Sequence, residues 1–152
     1  MEIDLTKEQY QNLLDACAIA DNVYGILGDT WPDTYKRQSE RIEKVREYLL
    51  LHAEDFGCKD LAETFKGKLI PSDAYSAVMD VIMEDYDDET FWHELETRLG
   101  KRDFENTMTD AEREEVEKKG WLPDRIHGIY EKWVEEFVKY GVDRLVINKD
   151  AK

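Results

Sequence analysis

The sequence is short of nearly everything that marks a catalytic, secreted or membrane-spanning chain. It has two cysteines in 152 residues. Cys17 and Cys58 are too few and too far apart for a disulfide framework, and neither stands in a CxxC pair. No apolar run approaches the ~18 residues of a membrane span. The opening Met-Glu-Ile-Asp places an acid where a secretory leader needs basic residues, so no leader is expected and the expected location is the reduced cytoplasm. GxSxG, Walker-type and GxGxxG motifs are all missing. HExxH fails at His93-Glu94, because Thr97 stands where the second histidine belongs. The three histidines, His52, His93 and His127, are scattered; Glu89 and His93 are four residues apart, with no identifiable third zinc ligand.

Positive charge is the most unevenly missing component. The net charge is −15, and residues 71–97 carry nine acids without one Lys or Arg. The one basic island is Lys36, Arg37, Arg41, Lys44 and Arg46. So acidic a surface repels phosphate backbones and anionic lipid, which argues against nucleic-acid and membrane partners and for another protein, of unknown identity. The oligomeric state is not legible. A hydrophobic content of 41%, with 11% aromatic, excludes intrinsic disorder despite the charge.

What is present reads as helices. Residues 13–27, LLDACAIADNVYGIL, are apolar on more than one side. Tyr10, Leu13, Leu14, Cys17, Tyr24 and Leu27 form one stripe; Ala16, Ile19, Ala20, Val23 and Ile26 form another beside it. The expected fold is therefore mostly α: a single helical domain over residues 1–152, with five or six helices packed around this first one. Thr6 and Gln9 make a capping box that starts it, and Gly28 is the expected stop. A second helix is expected from Pro32 or Asp33 to Gly57, with i,i+4 pairs Lys36–Glu40 and Glu40–Lys44 on its solvated face. Residues 58–71 carry a poor signal, read as a short helix at Asp60–Phe65 and then an irregular connection. A helix restarts at Ser72 or Asp73. Another is expected after the acidic run, with Asp87 or Asp88 as its N-cap. Thr109 and Glu112 form a second capping box. The last helix carries Ile126, Ile129, Tyr130, Trp133, Val134, Phe137 and Tyr140 and closes at Gly141. The chain ends, Ile3 and Leu5 against Leu145-Val146-Ile147, are suited to a two-stranded β pairing. The stretch TFWHELETRLGKRDF resembles segments of small, acidic, helical bacterial proteins of no assigned function; that resemblance spans about a tenth of the chain and implies no activity.

Two carboxylate constellations have the spacing of metal sites. Asp85, Asp87, Glu89 and Glu96 occupy positions 1, 3, 5 and 12 of an EF-hand-like calcium loop, with His93 at position 9. Thr90 stands where the sharp turn demands glycine, and no second loop accompanies it. Glu40, Glu43, Glu84 and Asp87 have the ExxE/D form that holds Mg²⁺ against phosphate oxygens in all-α nucleotide hydrolases. With 36 acids in the chain, such pairs arise by chance throughout. No catalytic, cofactor-binding or metal residue is therefore assigned, and no cofactor is expected. The expected function is a soluble, acidic, helical interaction or accessory protein without catalytic activity; the alternative is the Mg²⁺-dependent hydrolase.

Overall fold

The computed structural model describes residues 4–31 and 33–146. Among them are five helices and one small antiparallel sheet, a mostly α fold. The chain gathers into two compact units that meet in sequence between Asp85 and Tyr86.

The first unit opens with α1, Lys7–Thr30. Its capping box forms as the sequence requires: the Gln9 amide donates to Thr6 Oγ1 at 3.2 Å, and the Thr6 amide donates to Gln9 Oε1 at 2.9 Å. The helix does not stop at Gly28. A Cβ there would lie 3.1 Å from the backbone of Lys36, so this glycine serves the close approach of the next helix. Only one side of α1 is covered. Tyr10, Leu14 and Cys17 are buried, whereas Leu13, Ala16, Ile19 and Ile26 are exposed. The expectation of a helix enclosed on two sides is corrected here: in its second stripe Ala20 and Val23 are only half-buried, and Ala16, Ile19 and Ile26 are exposed.

Helix α2, Thr34–Leu51, packs back along α1 and buries Leu49 and Leu50. It ends six residues before Gly57, but Gly57 still does the terminating work. The Cys58 amide donates to Ala53 O at 2.7 Å and the Gly57 amide to Glu54 O at 3.0 Å, with Gly57 at φ +69°. That pair of bonds is a Schellman closure, with the glycine in the left-handed position that only it adopts cheaply. The expected Lys36–Glu40 and Glu40–Lys44 ion pairs do not form.

Residues 59–71 depart from the expected helix and irregular connection. After one 3-10 turn at Lys59–Leu61 come β1, Ala62–Phe65, and β2, Lys68–Pro71, paired antiparallel with Phe65 opposite Lys68. Lys66 and Gly67 both have positive φ, 51° and 79°, the conformation of the tight turn that suits the twist of two strands. Ala62 and Leu69 pack on the α1–α2 core, which stabilises a hairpin too short to stand alone. This hairpin is the two-stranded sheet of the described residues. Leu5, Leu145 and Val146 are not in strands, and Ile3 and Ile147, on which the pairing of the chain ends also depends, lie outside the described residues.

Helix α3, Asp73–Thr107, starts behind Ser72, whose Oγ accepts from the Tyr75 amide at 3.3 Å and donates to Asp60 O at 2.8 Å. It runs through the acidic stretch without a break, so Asp87 and Asp88 are interior residues and cap nothing. Residues 84–90 contain no glycine or proline and are all exposed, and each like-charged i,i+4 pair costs a helix only about 0.2–0.5 kcal/mol.

In the second unit α3 is followed by α4, Asp110–Lys119, and α5, Arg125–Tyr140. The Thr109–Glu112 capping box forms, and Gly120 closes α4 at φ +75°. Ile126 and Phe137 of α5 are buried and Ile129, Tyr130, Trp133 and Tyr140 half-buried, so the expected stripe is the packing face; Val134 at its edge is exposed. At Gly100 α5 comes very near α3: a Cβ there would lie 2.0 Å from Tyr130 Cδ1.

Candidate functional site

The acids whose spacing suggests metal sites are spread along two helices. Asp85, Asp87, Glu89 and Glu96 all lie within α3. A calcium loop curls its oxygens around one ion at ~2.3–2.6 Å, whereas Asp87 and Glu96 are nine helical residues apart, about 13 Å of rise. What the helix does align is Glu89, His93 and Glu96, which line a groove of about 300 Å³ with Trp92, Val134 and Phe137. Glu40 and Glu43 are exposed on α2, and Glu84 and Asp87 are exposed on α3. Among the described residues no three His, Cys, Asp or Glu side chains form a group that could hold a metal ion.

Polar groups do converge in the first unit, at the two acids inside the apolar run of α1. Asp15 and Asp21 break the apolar run of α1, and each has found a partner from another helix. Tyr75 Oη donates to Asp15 Oδ1 at 2.9 Å. Asp21 accepts from Ser39 Oγ at 2.7 Å and pairs with Arg46 at 3.1 Å. Both ties border a cavity of about 330 Å³ between α1, α2 and α3, whose wall includes Asp21, Ser39, Arg46, Tyr75, Met79 and Met83. The one signal available in the sequence was the acids themselves. A carboxylate inside an apolar stripe needs a partner, because unpaired burial of a charge is costly.

The protonation pattern here is that of a structural core. Burial, followed by the hydrogen bond to Asp15, pushes the Tyr75 phenol well above its usual range. Tyr10, whose Oη donates to Leu49 O at 2.5 Å, is pushed up to about 12, mainly by burial and then by the nearby Cys58 and Asp55. Burial likewise raises both thiols, Cys17 and Cys58, which makes them poor nucleophiles. Asp21 is balanced by Arg46, and Tyr75 keeps its proton. Among the described residues every buried side-chain nitrogen and oxygen has a hydrogen-bond partner. The cavity is thus bordered by polar ties between helices, Tyr75 to Asp15 and Ser39 and Arg46 to Asp21.

The second unit offers a larger cavity, about 430 Å³, over α5 and the turn after it. Its floor is Trp133, Phe137 and Ile129 and its rim is Lys132, Glu136 and Arg144. Trp133 is held on one side by its Nε1–H donating to Asp103 at 2.9 Å, and it stacks on Phe137 with centroids 5.4 Å apart. Arg144 lies over Tyr140 and pairs with Glu136 at 3.2 Å. At the other end of the unit Arg125 lies over Phe104 and pairs with Glu112. That guanidinium, with the Thr109 amide and hydroxyl, holds the Glu112 carboxyl down to about 2. These are ties that orient helices.

Comparison with protein-family models, with curated proteins and with solved structures gives no match for this chain. Among the described residues no helix is long and apolar enough to cross a membrane.

Proposed function

We propose that this chain is a non-catalytic interaction protein that works by presenting helix faces to a protein partner. One observation carries the reading: the helices of the first unit turn large apolar side chains outward in rows. Ile19 and Ile26 are exposed on one face of α1, Tyr48 and Leu51 on one face of α2, and Val78 and Val81 on one face of α3. Exposed apolar side chains scattered singly need no explanation, but rows on neighbouring helices are the mark of a contact surface. The polar groups between the same helices are occupied with one another, which supports a scaffold. The net charge of −15 favours a protein partner over nucleic acid, and two buried thiols fit a reducing compartment such as the cytoplasm.

A melting-temperature screen tests this against the hydrolase. The interaction reading expects no shift with Mg²⁺, Mn²⁺ or nucleotides, because nothing binds the folded state alone. A rise with Mg²⁺ and nucleotide together, lost in Glu40→Gln/Glu43→Gln, would overturn it. Replacing Ile26 by Gln should leave the melting temperature within a few degrees, since that side chain is already more than half exposed.

A further inference from the structure

Two exposed helix faces of the first unit are complements of one another. On α2 the outward stripe at i, i+4, i+7 spacing is Arg37, Arg41, Lys44, Tyr48 and Leu51: cationic in its first half, apolar in its second. Glu40 lies at its edge. Among the described residues Lys36, Arg37, Arg41 and Lys44 enter no ion pair, in a protein with far more acids than bases. On α3 the outward stripe is Ala74, Ala77, Val78 and Val81, then Glu84 and Asp85: apolar first, acidic second. All these residues are exposed, so neither face covers the other within its own unit.

The order of the two halves matters. Laid antiparallel, Leu51 and Tyr48 come against Ala74, Ala77 and Val78, while Lys44 and Arg41 come against Val81, Glu84 and Asp85. The lengths agree as well. Arg41 to Leu51 and Ala74 to Glu84 each span ten helical residues, about 15 Å. Laid parallel, the cations would meet the apolar half and both halves would lose.

We propose that α2 of one copy docks antiparallel on the α3 segment Ala74–Asp85 of a second copy, so that the chain associates with itself through this pair of faces. The inference rests on the reading of the chain as an interaction protein and names its partner. Two −15 chains repel at long range, but at physiological salt that repulsion is screened beyond about 8 Å, while charges in contact keep their attraction. The apolar halves supply the burial, and the charged halves set direction and register.

Charge reversal tests it. Arg41→Glu/Lys44→Glu makes both faces acidic in their charged halves; Glu84→Lys/Asp85→Lys makes both basic. Sedimentation of the full chain over a wide concentration range should show association of the wild type. Each reversal should weaken it by about tenfold or more, because like charges then meet. An equal mixture of the two variants should associate again, since every acidic face now finds a basic one on the other variant. All four substitutions are at exposed positions, and circular dichroism checks that each variant is folded. A wild type that is monomeric throughout overturns the proposal, as does a mixture that fails to restore association. A monomer that binds a separate acidic amphipathic peptide through Arg41 and Lys44 overturns it too. The nucleotide and Mg²⁺ screen, by contrast, decides the interaction reading itself.

Discussion

The two units hold their helices together by different means. In the first, the ties run through the interior: Tyr10 to the Leu49 carbonyl, Tyr75 to Asp15, and Arg46 and Ser39 to Asp21, around buried Leu14, Leu50 and Ala53. In the second, the fully buried side chain is Phe104, joined by Ile126 and Phe137; one half-buried tie, Trp133 to Asp103, joins α5 to α3, and the others lie at the rim as cations over rings and a capped helix start. The difference is one of dielectric. A buried polar bond is strong but costly to leave unmade, and so it specifies which helix lies where. A rim tie is screened by water and salt, and the packing beneath it must hold the unit.

The largest effect is expected at Phe104, whose ring is inaccessible to solvent. Phe104→Ala should cost about 3–5 kcal/mol in urea unfolding of the second unit. A loss under 1 kcal/mol would mean that the rim ties, and not this core, hold α3 to α5.

Next comes alkaline pH in the first unit. A phenol whose folded pKa lies above its unfolded value contributes stability that is complete below pH 10 and is lost as pH rises through the folded pKa. Tyr10, moved from 10 to about 12, contributes about 3 kcal/mol that should vanish over that window, and Tyr75 adds to it in the same direction. Absorbance of phenolate against pH reads this directly. Ionisation of both tyrosines near pH 10 without unfolding would show that the interior ties are solvated.

Gly100→Ala is the third. The added methyl would meet the Tyr130 ring, and overpacking of this kind costs about 1–3 kcal/mol, against at most about 1 kcal/mol gained from helix propensity. Net destabilisation is expected, relieved when Tyr130 is also cut to Ala. A stabilised Gly100→Ala would place α5 farther from α3.

The smallest effect belongs to Glu112. Its carboxyl is held down by Arg125 and Thr109, so what it contributes is present above the ordinary carboxylate range and fades as pH falls toward about 2. Carbon-13 titration should place Glu112 near 2 in the wild type and higher, but still below its ordinary value, in Arg125→Met, where the Thr109 hydrogen bonds remain. An ordinary value in both would remove the cap-to-helix tie.

How much of this was legible from residues differs by element, for physical reasons. Thr6–Gln9 and Thr109–Glu112 are local chemistry: the side chains satisfy amides three residues away, and nothing distant is needed. The α5 stripe was equally plain, because its apolar residues recur at helical spacing around a buried Phe137. Cys17 is buried, as its place between Leu13 and Ala20 suggested, although Leu13 itself is exposed. The hairpin at 62–71 was missed because its strands are four residues long, too short to show alternation, and its turn is Lys-Gly where Asn-Gly or Asp-Gly would announce it. The continuous α3 was missed because an acidic run looks like a helix start, and a helix start and a solvated helix interior can share the same acids.

The sequence by itself thus determined the class of fold, the caps, the apolar stripe of the last helix and the concentration of charge. Each follows from interactions within a few residues, or from composition. Only the tertiary structure decided which side of α1 is covered, what Asp15 and Asp21 are for, and which faces of α2 and α3 stand open in water. Those depend on partners far off in the chain, Tyr75 for Asp15 and Arg46 for Asp21, and no local pattern encodes the distance between them.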